Sequence, residues 1–187
     1  VLADDNFASI VHAVEEGRTV YDNLKKALLF VLPTNGGEAL IIIASIVFGM
    51  VLPMTAVQVL WVNMVTAVSL GLTLSMEPME KGTMKRPPRK PKEPLIPLAM
   101  LIKITYVALL LTAATLTLFM WMKSNGASEE LARTVAVNTL VVGEIAFLFN
   151  ARKKDSSISL EAIKGTPYTW AAIAFVMILQ VLFTYAP

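Results

Sequence analysis

The chain has 187 residues, of which 56% are hydrophobic and 16% are charged, and its formal net charge is +2. Soluble domains carry about a quarter charged residues, so this composition favours a membrane protein, and no basic patch suggests a nucleic-acid partner. The sequence has no cysteine, which excludes disulfides and thiolate sites for soft metals. It begins without Met, in a polar stretch, and we expect an internal piece of a larger protein.

The amino-terminal part predicts an amphipathic helix. Apolar residues recur at helical spacing from Phe7 to Leu24, and Asp5 or Asn6 is a suitable N-cap. Gly17 leaves two alternatives, a single helix that continues into the membrane as a rod, or a surface helix that ends in a turn at this glycine. We expect the rod, because the apolar stripe continues past Gly17.

Five stretches have the roughly 20 apolar residues that a membrane-spanning helix needs. They are residues 27–51, 55–76, 97–121, 131–149 and 168–186. A very short turn around Pro53 joins the first two, which predicts an antiparallel hairpin. The expected fold is an all-α membrane protein in a lipid bilayer, with a bundle of about five transmembrane helices in residues 27–187 and an amphipathic cytoplasmic stalk helix in residues 1–26.

Basic residues mark one side of the predicted bundle. All 16 Lys and Arg residues except Lys103, Lys123 and Arg133 lie before the first span or in the second and fourth connections. Such connections stay in the cytoplasm, so we expect a multi-pass protein of a prokaryotic plasma membrane with a cytoplasmic amino end. From Pro78 to Pro97 we expect a solvated loop, with docking on a cytoplasmic domain or on anionic lipid as the alternatives.

Polar side chains interrupt three of the predicted spans. They are Asn35 and Glu38 in the first span, Asn63 and Thr66 at the same spacing in the second, and Glu144 in the fourth. Intramembrane carboxylates are costly and indicate ion pathways, and their oxygens, like those of amides and hydroxyls, suit hard cations such as calcium, sodium or potassium. We predict that these five side chains bind a cation. The alternatives are that Asn63 and Thr66 only join helices and that Glu144 is a protonated, structural acid.

Several motifs resemble P-type cation ATPases, in particular their calcium-pump branch. They are Val1-Leu2-Ala3-Asp4-Asp5-Asn6-Phe7 and Glu15-Glu16-Gly17-Arg18, similar to the end of the phosphorylation domain and the stalk; Leu60-Trp61-Val62-Asn63-Met64-Val65-Thr66, similar to the sixth transmembrane helix; and Arg86-Pro87-Pro88-Arg89, similar to the next loop. The resemblance is dense to about residue 97 and looser after it. It implies that the five spans are the fifth to ninth helices of a ten-helix membrane domain.

The resemblance also implies a function. The chain would be part of the transport domain of an ATP-driven pump that exports calcium from the cytoplasm, and in the family the positions of Asn35, Glu38, Asn63, Thr66 and Glu144 bind the transported cation. Mg-ATP, the phosphorylated aspartate, the actuator and nucleotide-binding domains and the first four spans would belong to the rest of the parent protein. This part would not be catalytic alone.

Ala67 departs from the pattern of two-site calcium pumps, which carry an aspartate at this position. One negative charge fewer favours a single calcium ion or a different cargo, with sodium, potassium, protons or manganese as the alternatives. Two other classes stay open. One is a secondary transporter or channel that uses the same site without ATP, and the other is a non-transporting subunit in which Glu38 and Glu144 are structural.

Overall fold

The computed structural model describes residues 6–89, 94–152 and 166–185, and this part of the chain is helical, without strands. Five helices are long and apolar enough to cross a membrane, which confirms the predicted all-α membrane fold. They are α1 (Phe7–Val47), α2 (Ala56–Ser75), α3 (Leu98–Ser124), α4 (Glu129–Ala151) and α5 (Pro167–Tyr185).

The first helix, α1, is continuous over 41 residues. The Asn6 side chain caps it by accepting a hydrogen bond from a first-turn amide, and the helix passes through Gly17 and Pro33 without a break. Because the helix rises 1.5 Å per residue, α1 is about 60 Å long, roughly twice the hydrocarbon thickness of a bilayer. The alternative with a turn at Gly17 is therefore wrong, and about half of α1 extends beyond the membrane.

A short connection turns the chain from α1 into α2. Gly49 adopts a left-handed backbone conformation with φ of 61°, which glycine reaches without strain. A capping box then starts α2: the Thr55 hydroxyl accepts a hydrogen bond from the Gln58 amide, and the Gln58 side chain accepts one from the Thr55 amide. The two helices pack against each other, as the predicted hairpin requires.

The helices α1 and α4 both pack against α3 through glycines. A Cβ atom added to Gly37 would lie 3.3 Å from Leu111 Cβ, and one added to Gly143 would lie 2.6 Å from Leu111 Cδ2. The Thr112 hydroxyl donates chiefly to the Ala108 carbonyl at 2.7 Å and lies 3.2 Å from the Gly37 carbonyl. Small residues let membrane helices approach closely, and these contacts set the positions of α1 and α4, the two helices that carry the intramembrane acids.

Large apolar side chains fill the space between the helices. Those that are almost fully buried include Phe30, Ile41, Leu70, Leu74, Leu140, Leu148 and Val176. On α5, the Phe183 ring stacks on Trp61 of α2 with 4.4 Å between centroids. The outer faces expose apolar side chains such as Ile43, Leu72 and Leu109, as expected for surfaces that meet lipid or further helices.

The connection after α2 is held against α1 by hydrogen bonds to its backbone. The Arg18 guanidinium donates to the carbonyls of Thr83 and Arg86, each at 2.8 Å. The Asn23 amide, which is buried, donates to the Glu77 carbonyl at 2.7 Å. Because these donors bond to carbonyl groups, they fix the path of the connection itself.

Ion pairs add to this docking. Lys26 contacts Glu80 at 2.8 Å, and Arg86 contacts both Asp22 at 2.7 Å and Glu80 at 3.1 Å. Residues 78–89 are therefore anchored on α1 by a few contacts, while most of them are exposed, as expected for a solvated loop; residues 90–93 lie outside the described part.

A buried ion pair joins the ends of α2 and α4. The Arg152 Nε lies 2.6 Å from Glu77 Oε1, and its terminal nitrogen lies 3.2 Å from Oε2. Each side chain is only 8% exposed. We call the end of the bundle that contains Lys26, Arg86 and Arg152 the basic end.

Candidate cation site

The first intramembrane acid, Glu38, is joined to α2 by one hydrogen bond. Asn63 donates from its side-chain amide to Glu38 Oε2, and also to the Val59 carbonyl at 3.1 Å. Glu38 is 4% exposed, and its second oxygen, Oε1, has no hydrogen-bond partner among the described residues. One half of this carboxyl group is therefore available to a ligand.

The second acid, Glu144, is completely buried. The Thr66 hydroxyl lies beside it, and Glu38 lies close enough for their charges to interact. Thr66 donates its hydrogen bond to the Val62 carbonyl, so neither Glu144 oxygen has a partner among the described residues. Buried polar atoms without a partner are rare in folded proteins, and three of the four oxygens of these two acids are in that condition.

The segment of α2 between the acids is a π-helical turn over Val62–Ala67. It directs Asn63 to Glu38 on α1 and brings Thr66 to Glu144 on α4. Such turns are rare inside α-helices and are frequent at functional sites. The turn was not predicted, because the apolar pattern of α2 is compatible with an ordinary helix.

Asn35 does not join this cluster. It is exposed on α1, although the spacing placed it on the face of Glu38. A step of three residues rotates a helix by about 300°, so Asn35 and Glu38 lie at adjacent edges of α1, and only the edge with Glu38 faces α2 within this chain. The structure thus brings together four of the five predicted ligands, Glu38, Asn63, Thr66 and Glu144.

Carboxylates do not dominate the cluster. No three His, Cys, Asp or Glu side chains come together within the described ranges, and Ala67, which is buried in the π-helical turn, adds no side-chain oxygen. A cation at this place would depend on amide, hydroxyl and backbone oxygens as well as on the two acids. Hard cations accept such mixed oxygen sites.

A second polar group between α2, α4 and α5 was not predicted as a site. The Gln180 amide oxygen accepts a hydrogen bond from the Trp61 indole at 3.0 Å, and its nitrogen donates to Asn138 at 2.7 Å. Thr184 donates to the same Asn138 oxygen at 3.3 Å. The sequence shows Asn138 and Gln180 as amides inside apolar spans. It does not show that they bond to each other or that Trp61 donates to Gln180.

Comparisons with known proteins agree with this architecture. The family model described as "Cation transporting ATPase, C-terminus" matches residues 51–187. Over its whole length the chain is 43% identical to the probable cation-transporting ATPase F of Mycobacterium tuberculosis, 37% to the cation-transporting ATPase pma1 of Synechocystis and 32% to a calcium-transporting ATPase of Bacillus subtilis. It spans about a fifth of each relative, 21% of the length. The chain belongs to the P-type cation-transporting ATPase family, and it matches the C-terminal membrane region of that family.

Proposed function

We propose that Glu38, Asn63, Thr66 and Glu144 bind the cation that an ATP-driven pump carries across the membrane. The observation that supports this is that three of the four carboxylate oxygens of Glu38 and Glu144 have no donor among the described residues, while Asn63 and Thr66 lie beside these acids. A buried polar atom without a partner costs about 1–3 kcal/mol, and a charged one costs more. A bound cation removes this cost, whereas a purely structural role for the acids leaves it in place.

Asn35 is a fifth ligand in this proposal, although it faces away from the other four. Its exposed position on α1 leaves it accessible to helices of the parent protein that this chain does not contain. Those helices, which we identify with the first four spans implied by the family resemblance, would close the site on that side.

Calcium is the cargo that we propose first. Two carboxylates neutralise one divalent ion, and oxygen ligands of mixed type suit calcium. The relative from Bacillus subtilis is named as a calcium-transporting ATPase. The second candidate is a monovalent cation or manganese, and the observation that favours it is Ala67, which leaves the π-helical turn without an acid.

The basic end of the bundle supports an orientation in the membrane. Connections rich in Lys and Arg remain in the cytoplasm, so the N-terminal half of α1 would be cytoplasmic. Export of calcium across the plasma membrane of a prokaryote is the direction that the family resemblance implies. We propose that α1 is the mechanical link, because this one rigid helix carries both Glu38 and the part that extends beyond the membrane. ATP hydrolysis, with Mg-ATP, would take place in the parent domains outside this chain.

The test is ATP hydrolysis by the purified whole protein, titrated separately with calcium, manganese, sodium and potassium. We expect stimulation by calcium, and we expect Glu144→Gln to raise the calcium concentration for half-maximal activity by more than about tenfold, the equivalent of about 1.4 kcal/mol. The matched control is Glu130→Gln, because it makes the same change on the same helix at an exposed position.

The outcomes separate the candidates. Stimulation by sodium or potassium but not by calcium would retain the pump and overturn the calcium assignment. Equal cation response in Glu144→Gln and wild type would overturn the proposed site. ATP hydrolysis that no cation changes, together with passive cation flux through vesicles, would favour a channel or secondary transporter instead.

A further inference from the structure

A cavity of about 360 Å³ opens between α1 and α3 at the basic end of the bundle. Its wall is mostly apolar and includes Leu29, Met100 and Ala151, while Lys25 and Lys103 contribute positive charge. The cavity is separate from the candidate cation site, whose acids do not line it.

Among the described residues, Lys103 is the cation of this cavity for which no ion pair or hydrogen bond is seen. Lys26 is bound to Glu80 at 2.8 Å, and Asp22 is bound to Arg86. The acids that line the cavity are therefore already paired. Lys103 is half-buried and makes no ion pair or hydrogen bond with any described residue. Burying a charge is unfavourable unless an opposite charge or hydrogen-bond acceptor compensates it, so an anion beside this ammonium group would be stabilising.

The depth of Lys103 restricts what that anion is. The helix α3 begins at Leu98, which places Lys103 about 8 Å along it. All 27 residues of α3 span about 40 Å, longer than the roughly 30 Å of hydrocarbon. Lys103 therefore lies near the boundary between the hydrocarbon and the headgroups, where lipid phosphates are the abundant anions.

The surroundings of the lysine match the rest of a phospholipid. Leu98 and Ile102, which neighbour the lining residues Ala99 and Lys103 in the sequence, are 71% and 61% exposed, and Leu29 and Met100 line the inside. An acyl chain leaving the phosphate would find apolar contacts in both places. The lining carries three lysines and two acids, and this net positive charge favours a lipid with net negative charge over a zwitterionic one.

We propose that this cavity binds an anionic phospholipid, with its phosphate at Lys103 and Lys25 and its glycerol and first acyl carbons against Leu29 and Met100. The lipid would fill the space between α1 and α3 and would brace the point at which α1 leaves the membrane. This inference concerns binding and does not rest on the identity of the transported cation.

The experiment is native mass spectrometry of the detergent-purified whole protein, titrated with phosphatidylglycerol or with phosphatidylcholine, followed by thermal denaturation of the same samples. We expect wild-type protein to retain phosphatidylglycerol in preference to phosphatidylcholine and to gain thermal stability from it. Lys103→Gln should weaken phosphatidylglycerol binding about fivefold, the contribution of roughly one lysine near an anionic surface. Lys103→Arg should retain binding, and Lys123→Gln, the same change near the opposite end of α3, should not affect it.

Two results would overturn the proposal. One is equal retention of phosphatidylglycerol by wild type and Lys103→Gln while Lys103→Gln unfolds at the same temperature without lipid. The other is the same thermal stabilisation from millimolar inorganic phosphate, because that would identify a site for soluble anions. If the Lys103→Gln variant does not fold, Lys103→Arg still tests the proposal. This variant keeps the positive charge, so failure to bind phosphatidylglycerol would contradict the proposed role of that charge.

Discussion

Removing one partner of the buried ion pair between Glu77 and Arg152 should destabilise the protein strongly. The pair is bidentate, with distances of 2.6 and 3.2 Å, and each side chain is 8% exposed. Glu77→Ala would remove this carboxylate from the buried Arg152 guanidinium. Breaking a buried pair in this way costs about 3–5 kcal/mol, and since about 1.4 kcal/mol is tenfold, the unfolding equilibrium should shift by at least about a hundredfold.

The double variant separates the cost of burying the two charges from the attraction between them. Glu77→Leu combined with Arg152→Met removes both charges and keeps similar apolar volume, and such replacements are often neutral or stabilising. We therefore expect strong non-additivity, with each single change harmful and the double change close to wild type. The assay is reversible denaturant unfolding of the whole protein in mixed micelles, arranged as a double-mutant cycle.

The control is a partly exposed pair on α4. Glu129 and Arg133 are four residues apart, with side chains 42% and 24% exposed, and helix pairs with this spacing contribute about 0.3–0.5 kcal/mol where solvent reaches them. Glu129→Ala should therefore cost little. If Glu77→Ala costs no more than Glu129→Ala, the pair is solvated in the whole protein and the reasoning from its burial is refuted.

Three further predictions concern packing and are measured by the same unfolding assay. Gly17→Ala should stabilise the protein by about 0.5–1 kcal/mol, because the position is inside a helix and no atom lies within 4 Å of the added Cβ; destabilisation would contradict the continuity of α1 there. Gly37→Val should cost about 1–3 kcal/mol, because its Cβ would lie 3.3 Å from Leu111 Cβ, and a neutral effect would mean that α1 and α3 separate easily. Gln180→Leu should cost about 0.5–1.5 kcal/mol by removing the bridge between Trp61 and Asn138; an unchanged free energy of unfolding would show that the bridge contributes nothing.

Local sequence determined the helices of this protein. A stretch of about 20 apolar residues has few stable conformations in a bilayer other than a helix, so the number and approximate limits of the spans followed from composition alone. The continuity of α1 through Gly17 was also available, since the apolar stripe keeps one helical phase from Phe7 onward. The same logic identified Glu38 and Glu144, because a carboxylate inside an apolar span is conspicuous without any knowledge of its neighbours.

Only the tertiary structure decided which polar groups meet. Asn63 bonds to Glu38 while Thr66 lies beside Glu144, and this division depends on a π-helical turn that hydrophobic periodicity does not reveal. Asn35 has the spacing of a ligand but faces away, because its direction depends on which neighbour packs against each edge of α1. Arg18 bonds to the Thr83 carbonyl, which lies 65 residues away in the chain. A bond to a backbone atom cannot be predicted from a pattern of side chains. Contacts of this kind depend on how the helices are placed, and close-packed residues such as Gly37 set that placement. Packing is a property of a pair of helices, so the sequence of one helix alone does not specify it.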